Sequence, residues 1–401
     1  MTDAPLAGVT ILDLSRVLAG PYCTMLAADM GARVIKIEHP ERGDDTRAWG
    51  PPFQNGESAY FLSVNRNKES VALDFKTADG RRILDGLIAR ADVLVENFRP
   101  GTLAAHGLGF ADLHARDPRL IYVSISGFGQ TGPRHEEAGY DAIAQAEGGL
   151  MSITGMPDGP AVRLGVAVAD QTAGMFAFQG LLLALRSRDA TGRGQLVDIA
   201  LFDSVLALLS YQASQYFATG EAPTRHGNRH PAIAPYETFE TADGVLVLSV
   251  GNDAQWQRFC HAVGLSTLAG DTRFLTNTQR VREYSTLRPM IASALARRSL
   301  ADVLTALRAA GVPCGAVRSI AEALSDPQAI ARSMIETLDH PAIGEIKNLG
   351  LAIKLSATPG RVRTAPPRLG EHTRSVLHND LGLSDEDISA FEARGIVRTL
   401  K

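Results

Sequence analysis

Through its N-terminal half this chain alternates short β-branched runs with helix-forming segments, and that alternation leaves few folds open. Residues 9–14, 33–38, 70–75, 92–96 and 120–126 read as strands. Between them lie a helix running through Asp29 and a second, capped by Thr77, running through Arg90. Strands separated by helices cannot close as hairpins, so the expectation is βαβ units and a parallel sheet in an α/β fold. Residues 40–58 carry too much Gly, Pro and Asp for regular structure.

Further along, Asp170 precedes a segment, 171–186, that is apolar on nearly every face and is expected to be buried all round. After the turn at Thr191-Gly-Arg-Gly194 come a strand at 196–199 and a second very apolar helix at 201–217. Residues 219–235 read as a linker. The texture then changes: strands at 237–241 and 245–250, three helical stretches up to Gly311 and a strand at 312–318 describe a smaller α+β domain. From about residue 335 a strand pair, a Pro-rich passage (358–367) and a helix over 384–394 follow.

Composition removes several function classes. The length, 401 residues, suggests two or three domains at roughly 150 residues each. With 40 Lys+Arg against 44 Asp+Glu the net charge is −4, so broad attraction to nucleic acid or to an anionic membrane is not expected. Cys23, Cys260 and Cys314 are odd in number and far apart, which fits a reducing compartment; no CxxC pair or HExxH spacing suggests a metal. No signal peptide is visible, and the most apolar run, 175–185, is short for a bilayer span, so a soluble cytoplasmic enzyme is expected.

The GxGxxG pattern occurs once, from Gly127 to Gly132. It follows at least the fourth strand, and Pro133-Arg-His-Glu-Glu137 stands where a dinucleotide fingerprint needs a helix, so neither nicotinamide nor flavin is expected. Its glycines are better read as allowing close approach to a ligand or another backbone. Arg16, Lys36, Arg42, Arg47, Arg66, Lys68, Lys76 and Arg99 fall near strand ends, where open α/β sheets bind ligands and a phosphorylated group could be held. Asp170 reads first as a helix N-cap. Its small and apolar flanks (Gly165-Val-Ala-Val-Ala169, then Gln171-Thr-Ala-Gly174) also fit a nucleophile stripped of water and kept ionised by the helix dipole. No GxSxG elbow is present, and Cys23 reads as core before thiolate.

Several blocks in order resemble the class III CoA-transferases, among them formyl-CoA transferase and carnitine CoA-transferase. They are Leu12-Asp-Leu-Ser-Arg-Val-Leu-Ala-Gly-Pro21, Gly31-Ala-Arg-Val-Ile-Lys-Ile-Glu38, Asn65-Arg-Asn-Lys68, Val95-Glu-Asn-Phe-Arg-Pro-Gly101, Gly127-Phe-Gly-Gln-Thr-Gly-Pro133, Ala138-Gly-Tyr-Asp141 and Thr191-Gly-Arg-Gly-Gln195. The resemblance implies a Rossmann-like large domain built from residues 1–218 and a return segment, 335–401. It also implies a smaller domain over 236–334 and an interlocked homodimer. It places the catalytic aspartate on Asp170 and coenzyme A, as co-substrate, against Val17, Leu18, His39, Leu73, Asp74, Phe75, Lys76, Asn97, Phe98, Arg99 and Tyr140. The implied reaction runs through an aspartyl anhydride and an aspartyl-CoA thioester, without metal. Ala104-Ala-His106 stands where formyl-CoA transferase has an arginine, and Gly227-Asn-Arg-His-Pro231 where it has a glycine run.

In finer detail, Gly43-Asp-Asp-Thr-Arg-Ala-Trp-Gly-Pro-Pro-Phe53 and His230 with Ala234-Pro-Tyr236 resemble the succinate–hydroxymethylglutarate CoA-transferases and bacterial succinyl-CoA-dependent relatives. That implies succinyl-CoA as donor and a dicarboxylate acceptor such as glutarate, hydroxymethylglutarate, malate, itaconate or mesaconate. Arg47, Arg163, Arg229 and His230 are the candidates to hold it. The sister α-methylacyl-CoA racemases use an Asp/His pair; Tyr140 fills the histidine position here, and a phenol titrating near ~10 is a poor base at neutral pH.

Overall fold

A computed structural model describes residues 4–400. The chain divides into two compact units, one made of Met1–Leu150, Arg163–Ser214 and Pro327–Lys401, the other of Met151–Val162 and Gln215–Asp326. The return of the chain to the first unit therefore begins at Pro327, ahead of the expected 335. The expected linker is part of the second unit, together with an excursion at Met151–Val162 that the sequence did not announce.

In chain order the first unit begins with β1 (Thr10–Asp13), α1 (Ala19–Asp29), β2 (Arg33–Glu38), β3 (Lys68–Leu73), α2 (Ala78–Ile88), β4 (Val93–Glu96) and β5 (Ile121–Ser126). It continues through α3 (Asp141–Glu147), α4 (Val168–Thr191), β6 (Leu196–Ala200) and α5 (Leu201–Leu208). The second unit carries β7 (Tyr236–Glu240), β8 (Val245–Ser249), α6 (Asp253–Ala262), α7 (Tyr284–Leu295), α8 (Leu300–Ala309) and β9 (Cys314–Ala316). Its three strands form an antiparallel sheet, and its core gathers Phe239, Leu246, Trp256, Phe259, Leu287 and Ile291. The return segment adds the hairpin β10 (Ile335–His340)–β11 (Gly344–Leu349), then α9 (Thr373–Leu381), α10 (Asp385–Ala393) and β12 (Val397–Arg398).

The main sheet has seven strands in the order β12-β3-β2-β1-β4-β5-β6. Every neighbouring pair is parallel except β12, which runs antiparallel to β3. Both chain ends thus contribute to one sheet. Alternation along the strands sorts the core into two faces. Ile11, Val34, Val93, Val95, Val123 and Ile125 point toward α1 and α4. Leu12, Ile35, Leu73, Leu94 and Tyr122 meet α2 and, from the return segment, Val376, Leu377 and Ile388 of α9 and α10. The helix starts read from sequence at Thr77 and Ser384 are both capped by those side chains, which accept from Gly80 N and Asp387 N.

Two expectations fail on the apolar helices. α4 is not buried all round: Ala169, Ala173, Ala177 and Leu181 are covered, whereas Met175, Leu182 and Leu183 face outward, Leu183 at 70% exposure. At 24 residues α4 is also long and apolar enough to cross a bilayer by length and composition, which the shorter 175–185 run is not. Its buried side lies in the core of the sheet, and Arg188 in its last turn pairs with Asp92 at 3.0 Å, the behaviour of a core helix. The expected helix over 201–217 is broken instead, because Ser210 takes a left-handed φ of 43° and a separate helix runs from Ser210 to Thr219.

Candidate active site

The carboxyl ends of β1, β2, β4 and β5 open into two cavities that share Arg16 and Phe98. One, of about 200 Å³, is walled by Val17, Leu18, Asn97, Arg99, Gly139, Tyr140 and Asp170. The other, of about 290 Å³, is lined by His39, Arg42, Leu73, Asp74, Phe75, Lys76 and His106. A larger cavity of about 690 Å³ sits at the amino ends of β2 and β3, bounded by Arg33, Asn67, Arg361 and His372. It is the wrong end of a parallel sheet for ligand binding. Its Arg33 is also already bound to Glu69 and Asp380, each at 2.8 Å.

Asp170 is the third residue of α4, not its cap: the N-cap is Ala167, which has no capping side chain. The capping work is done from elsewhere in the chain. Asp141, first residue of α3, accepts from Ala169 N at 2.8 Å and from Asp170 N at 3.4 Å. Gln145 then holds the other Asp141 oxygen at 2.7 Å and uses its own Oε1 to accept from Leu164 N at 3.0 Å. The half-buried Asp170 carboxyl is pushed up to about 7, first by burial and then by the charge of Asp141. Burial and the like charge of Asp141 thus oppose the ionisation that the helix N-terminus was expected to favour. A carboxylate in this state is a reactive nucleophile near neutral pH, since little hydration must be shed for it to attack.

The residues around it are placed by the fold. Gly127 and Gly139 cross so closely that a Cβ on Gly127 would lie 2.6 Å from Gly139 Cα, so of the two close approaches expected of these glycines, to a ligand or to another backbone, Gly127 makes the second. No helix starts in that loop; α3 begins only at Asp141, with exposed Tyr140 as its N-cap. Cys23 lies inside α1, fully buried, and burial pushes its thiol far up, so it is core. Tyr60, which the sequence reading passed over, has its phenol pushed up to about 12 by burial and by the charges of Asp170, Asp141 and Asp44, and it packs against the small apolar cluster of Leu18, Met25 and Val64. Tyr60 left no distinct signal in sequence, and Asp141 stood out only as the end of the Ala138-Gly-Tyr-Asp141 block, because each gains its role through a partner remote in the chain.

Several cations proposed for an anionic ligand are spent inside the protein. Lys36 Nζ pairs with Asp44 at 2.8 Å and donates to Ser15 O at 2.8 Å; Lys68 Nζ pairs with Asp13 at 3.2 Å; all four side chains are fully buried. Arg66 grips Asp29 at 2.7 Å. Arg47, offered as a dicarboxylate clamp, instead clamps Glu38 with Nε to Oε2 at 2.7 Å and Nη2 to Oε1 at 2.8 Å, and stacks on Phe61. A guanidinium already bidentate on a buried carboxylate has no face left for a substrate. Arg42, Lys76 and Arg99 remain exposed near the cavities, and Arg16 is partly engaged by Asp45 at 3.1 Å. Arg163 is exposed in the first unit. Arg229 and His230 belong to the second unit, where Arg229 lies over Tyr284 and His230 against Tyr236.

The family model for CoA-transferase family III matches residues 6–373. This chain belongs to that family. It is a class III CoA-transferase, an enzyme whose substrates are CoA thioesters and carboxylic acids. Among relatives, the succinate–glutarate CoA-transferase of Agrobacterium fabrum is 44% identical over 94% of this chain and 97% of its own. The succinyl-CoA–D-citramalate CoA-transferase of Chloroflexus aurantiacus is 40% identical over 98% of both. The crystal structure of a CAIB/BAIF family protein from Brucella suis superposes with a TM-score of 0.84 at 40% identity, covering 94% of this chain and 99% of that one. Both cavities open at the carboxyl ends of the sheet and share Arg16 and Phe98 in their walls. The larger has exposed basic groups at its rim and the apolar Leu73, Phe75 and Phe98 in its wall, while the smaller ends at Asp170.

Proposed function

We propose that this enzyme transfers CoA from succinyl-CoA to a short dicarboxylate of the glutarate or citramalate type, with Asp170 as the nucleophile. The observation that carries this reading is the Asp170 carboxyl, half-buried at the end of a cavity system and poised to ionise near pH 7. The names of the two relatives supply the acids. Asp170 attacks the thioester carbonyl, expelling CoA thiolate and leaving a mixed anhydride. The thiolate attacks the aspartyl carbonyl, releasing succinate and forming an aspartyl-CoA thioester. The acceptor carboxylate then displaces the thiolate to give a second anhydride, and thiolate attack on the acceptor carbonyl regenerates Asp170. Each step exchanges one activated acyl bond for another, and no net proton is consumed. Val17, Leu18, Asn97 and Tyr140 wall the reacting end, while His39, Asp74, Phe75 and Lys76 line the cavity for the nucleotide end.

Dimerisation belongs to the same proposal. The outward apolar side chains Met175, Leu182 and Leu183 on α4 form a face that a second, interlocked copy would cover. Light scattering at working concentration reads this directly, and a monomer counts against it. Free cysteines throughout support a reducing, cytoplasmic setting. For the reaction itself, succinyl-CoA is incubated with glutarate, citramalate and a monocarboxylate control, and the CoA esters are separated chromatographically. Glutaryl- or citramalyl-CoA is expected with the native chain and none with Asp170→Asn. Equal turnover of both proteins would overturn the assignment.

A further inference from the structure

The segment between β1 and α1 is held in an unusual way. Val17 sits at a left-handed φ of 69°, a conformation that a β-branched side chain strongly resists. Such strain persists only where the surroundings over-determine the backbone. Here they do so atom by atom. Ser15 N donates to Asp13 Oδ1 at 2.9 Å, and Ser15 O accepts from Lys36 Nζ at 2.8 Å. Arg16 N donates to Asn97 Oδ1 at 2.8 Å, Arg16 O accepts from Asn97 Nδ2 at 2.7 Å, and Val17 N donates to Asp44 Oδ1 at 3.3 Å. Five consecutive backbone polar groups are thus bound by side chains, outside any helix or strand.

Topology explains why Asn97 can do this. β1 and β4 are parallel neighbours with Asp13 opposite Val95, and Leu14 N donates to Val95 O at 2.8 Å. Just past those strand ends, the Asn97 carboxamide reads both the N–H and the C=O of Arg16, continuing with a side chain the pairing that the backbone has abandoned. Asp cannot donate, and Ala can do neither. Val17 and Leu18 then form part of the wall that contains Asp170.

We infer that Asn97 is a positioning residue, whose side chain holds the Arg16 peptide so that Val17 stays left-handed against the Asp170 cavity. This rests on reading that cavity as the active site, and it gives Asn97 a different task from direct contact with CoA. The test is a double-mutant cycle with Val17→Gly, because glycine adopts positive φ without strain and no longer needs holding. With Val17 in place, Asn97→Ala is expected to lower kcat/KM roughly 30-fold, about 2 kcal/mol. In the Val17→Gly background the same change is expected to cost under about threefold. Equal costs in both backgrounds overturn the inference and favour direct ligand contact. Asn97→Asp, which keeps the acceptor and loses the donor, serves as second variant should the alanine protein fail to fold; its cost must also shrink when combined with Val17→Gly. Amide exchange at Arg16 and Val17 supplies a readout free of substrate and must accelerate in Asn97→Ala. Asp170→Asn separates the outcomes: if it keeps turnover, the site reading fails, whereas uncoupled Asn97 costs in an Asp170-dependent enzyme sink this inference alone.

Discussion

Asp170→Asn should make the protein more stable while abolishing turnover, and the gain should depend on pH. In the folded chain the carboxyl titrates at about 7 against 3.8 for the ordinary side chain. Its folded pKa is raised, so between those values the folded state binds more protons than the unfolded one, and stability falls as pH rises. The penalty is near zero below pH ~4 and complete above pH ~7.5, where roughly three pKa units correspond to about 4 kcal/mol. Asparagine fills the same space without a charge, so the variant escapes the penalty. Every other titrating group is common to the two proteins, so their difference isolates Asp170. That difference should widen by roughly 2–3 kcal/mol in favour of the variant between pH 5 and pH 8. Urea unfolding of both proteins at fixed concentration, at the two pH values, measures it. A gap that stays constant, or that closes as pH rises, would refute the claim that Asp170 is held in a desolvating, like-charged setting. The trade of stability for a reactive group is common at active sites.

With Asp170 as the proposed nucleophile, active only when ionised, the same electrostatics predict an acid limb near pH 7 in the kcat/KM profile. Asp141→Asn should move that limb to lower pH, while burial, the larger cause, keeps it above the ordinary carboxylate range. An unmoved limb would remove Asp141 as a contributor. Arg47→Met should destabilise the fold by roughly 3 kcal/mol, because Glu38 is left buried without its cation; a raised KM for the acceptor at unchanged urea midpoint would instead restore Arg47 as a substrate residue. Gly139→Ala should cost roughly 1–3 kcal/mol and disable the site, since its Cβ would run into the backbone of Gly127 and neither chain segment can yield. Native-like melting and activity in that variant would show the crossing to be loose.

Much of the first unit was legible along the chain because its signals are local. The residues 33–38 read as a strand are β2 itself, and the Thr77 and Ser384 caps act on amides within three residues of themselves. Asp170 was legible as a carboxylate at the start of an apolar helix, yet its position within the turn was not. The cap it was expected to provide comes from Asp141, brought there only when α3 packs beside α4. Lys36 and Lys68 show the same limit with the opposite sign. Near strand ends they look like ligand-binding cations, and only the packed sheet reveals that each faces a buried carboxylate.

The alternation of β and α segments in the first unit, a glycine-rich loop suited to close approach, the position of Asp170 at the start of an apolar helix and the family itself were legible in the one-dimensional chain. Each depends on side-chain type and spacing, which folding does not alter. What tertiary structure alone decided is which charges remain available and how the Asp170 proton is held. It also decided that Val17 takes a left-handed φ next to Arg16, whose backbone N–H and C=O both bond to the Asn97 carboxamide. Desolvation and hydrogen bonding between remote residues are set by three-dimensional neighbours, and those exist only once both chain ends have joined one sheet.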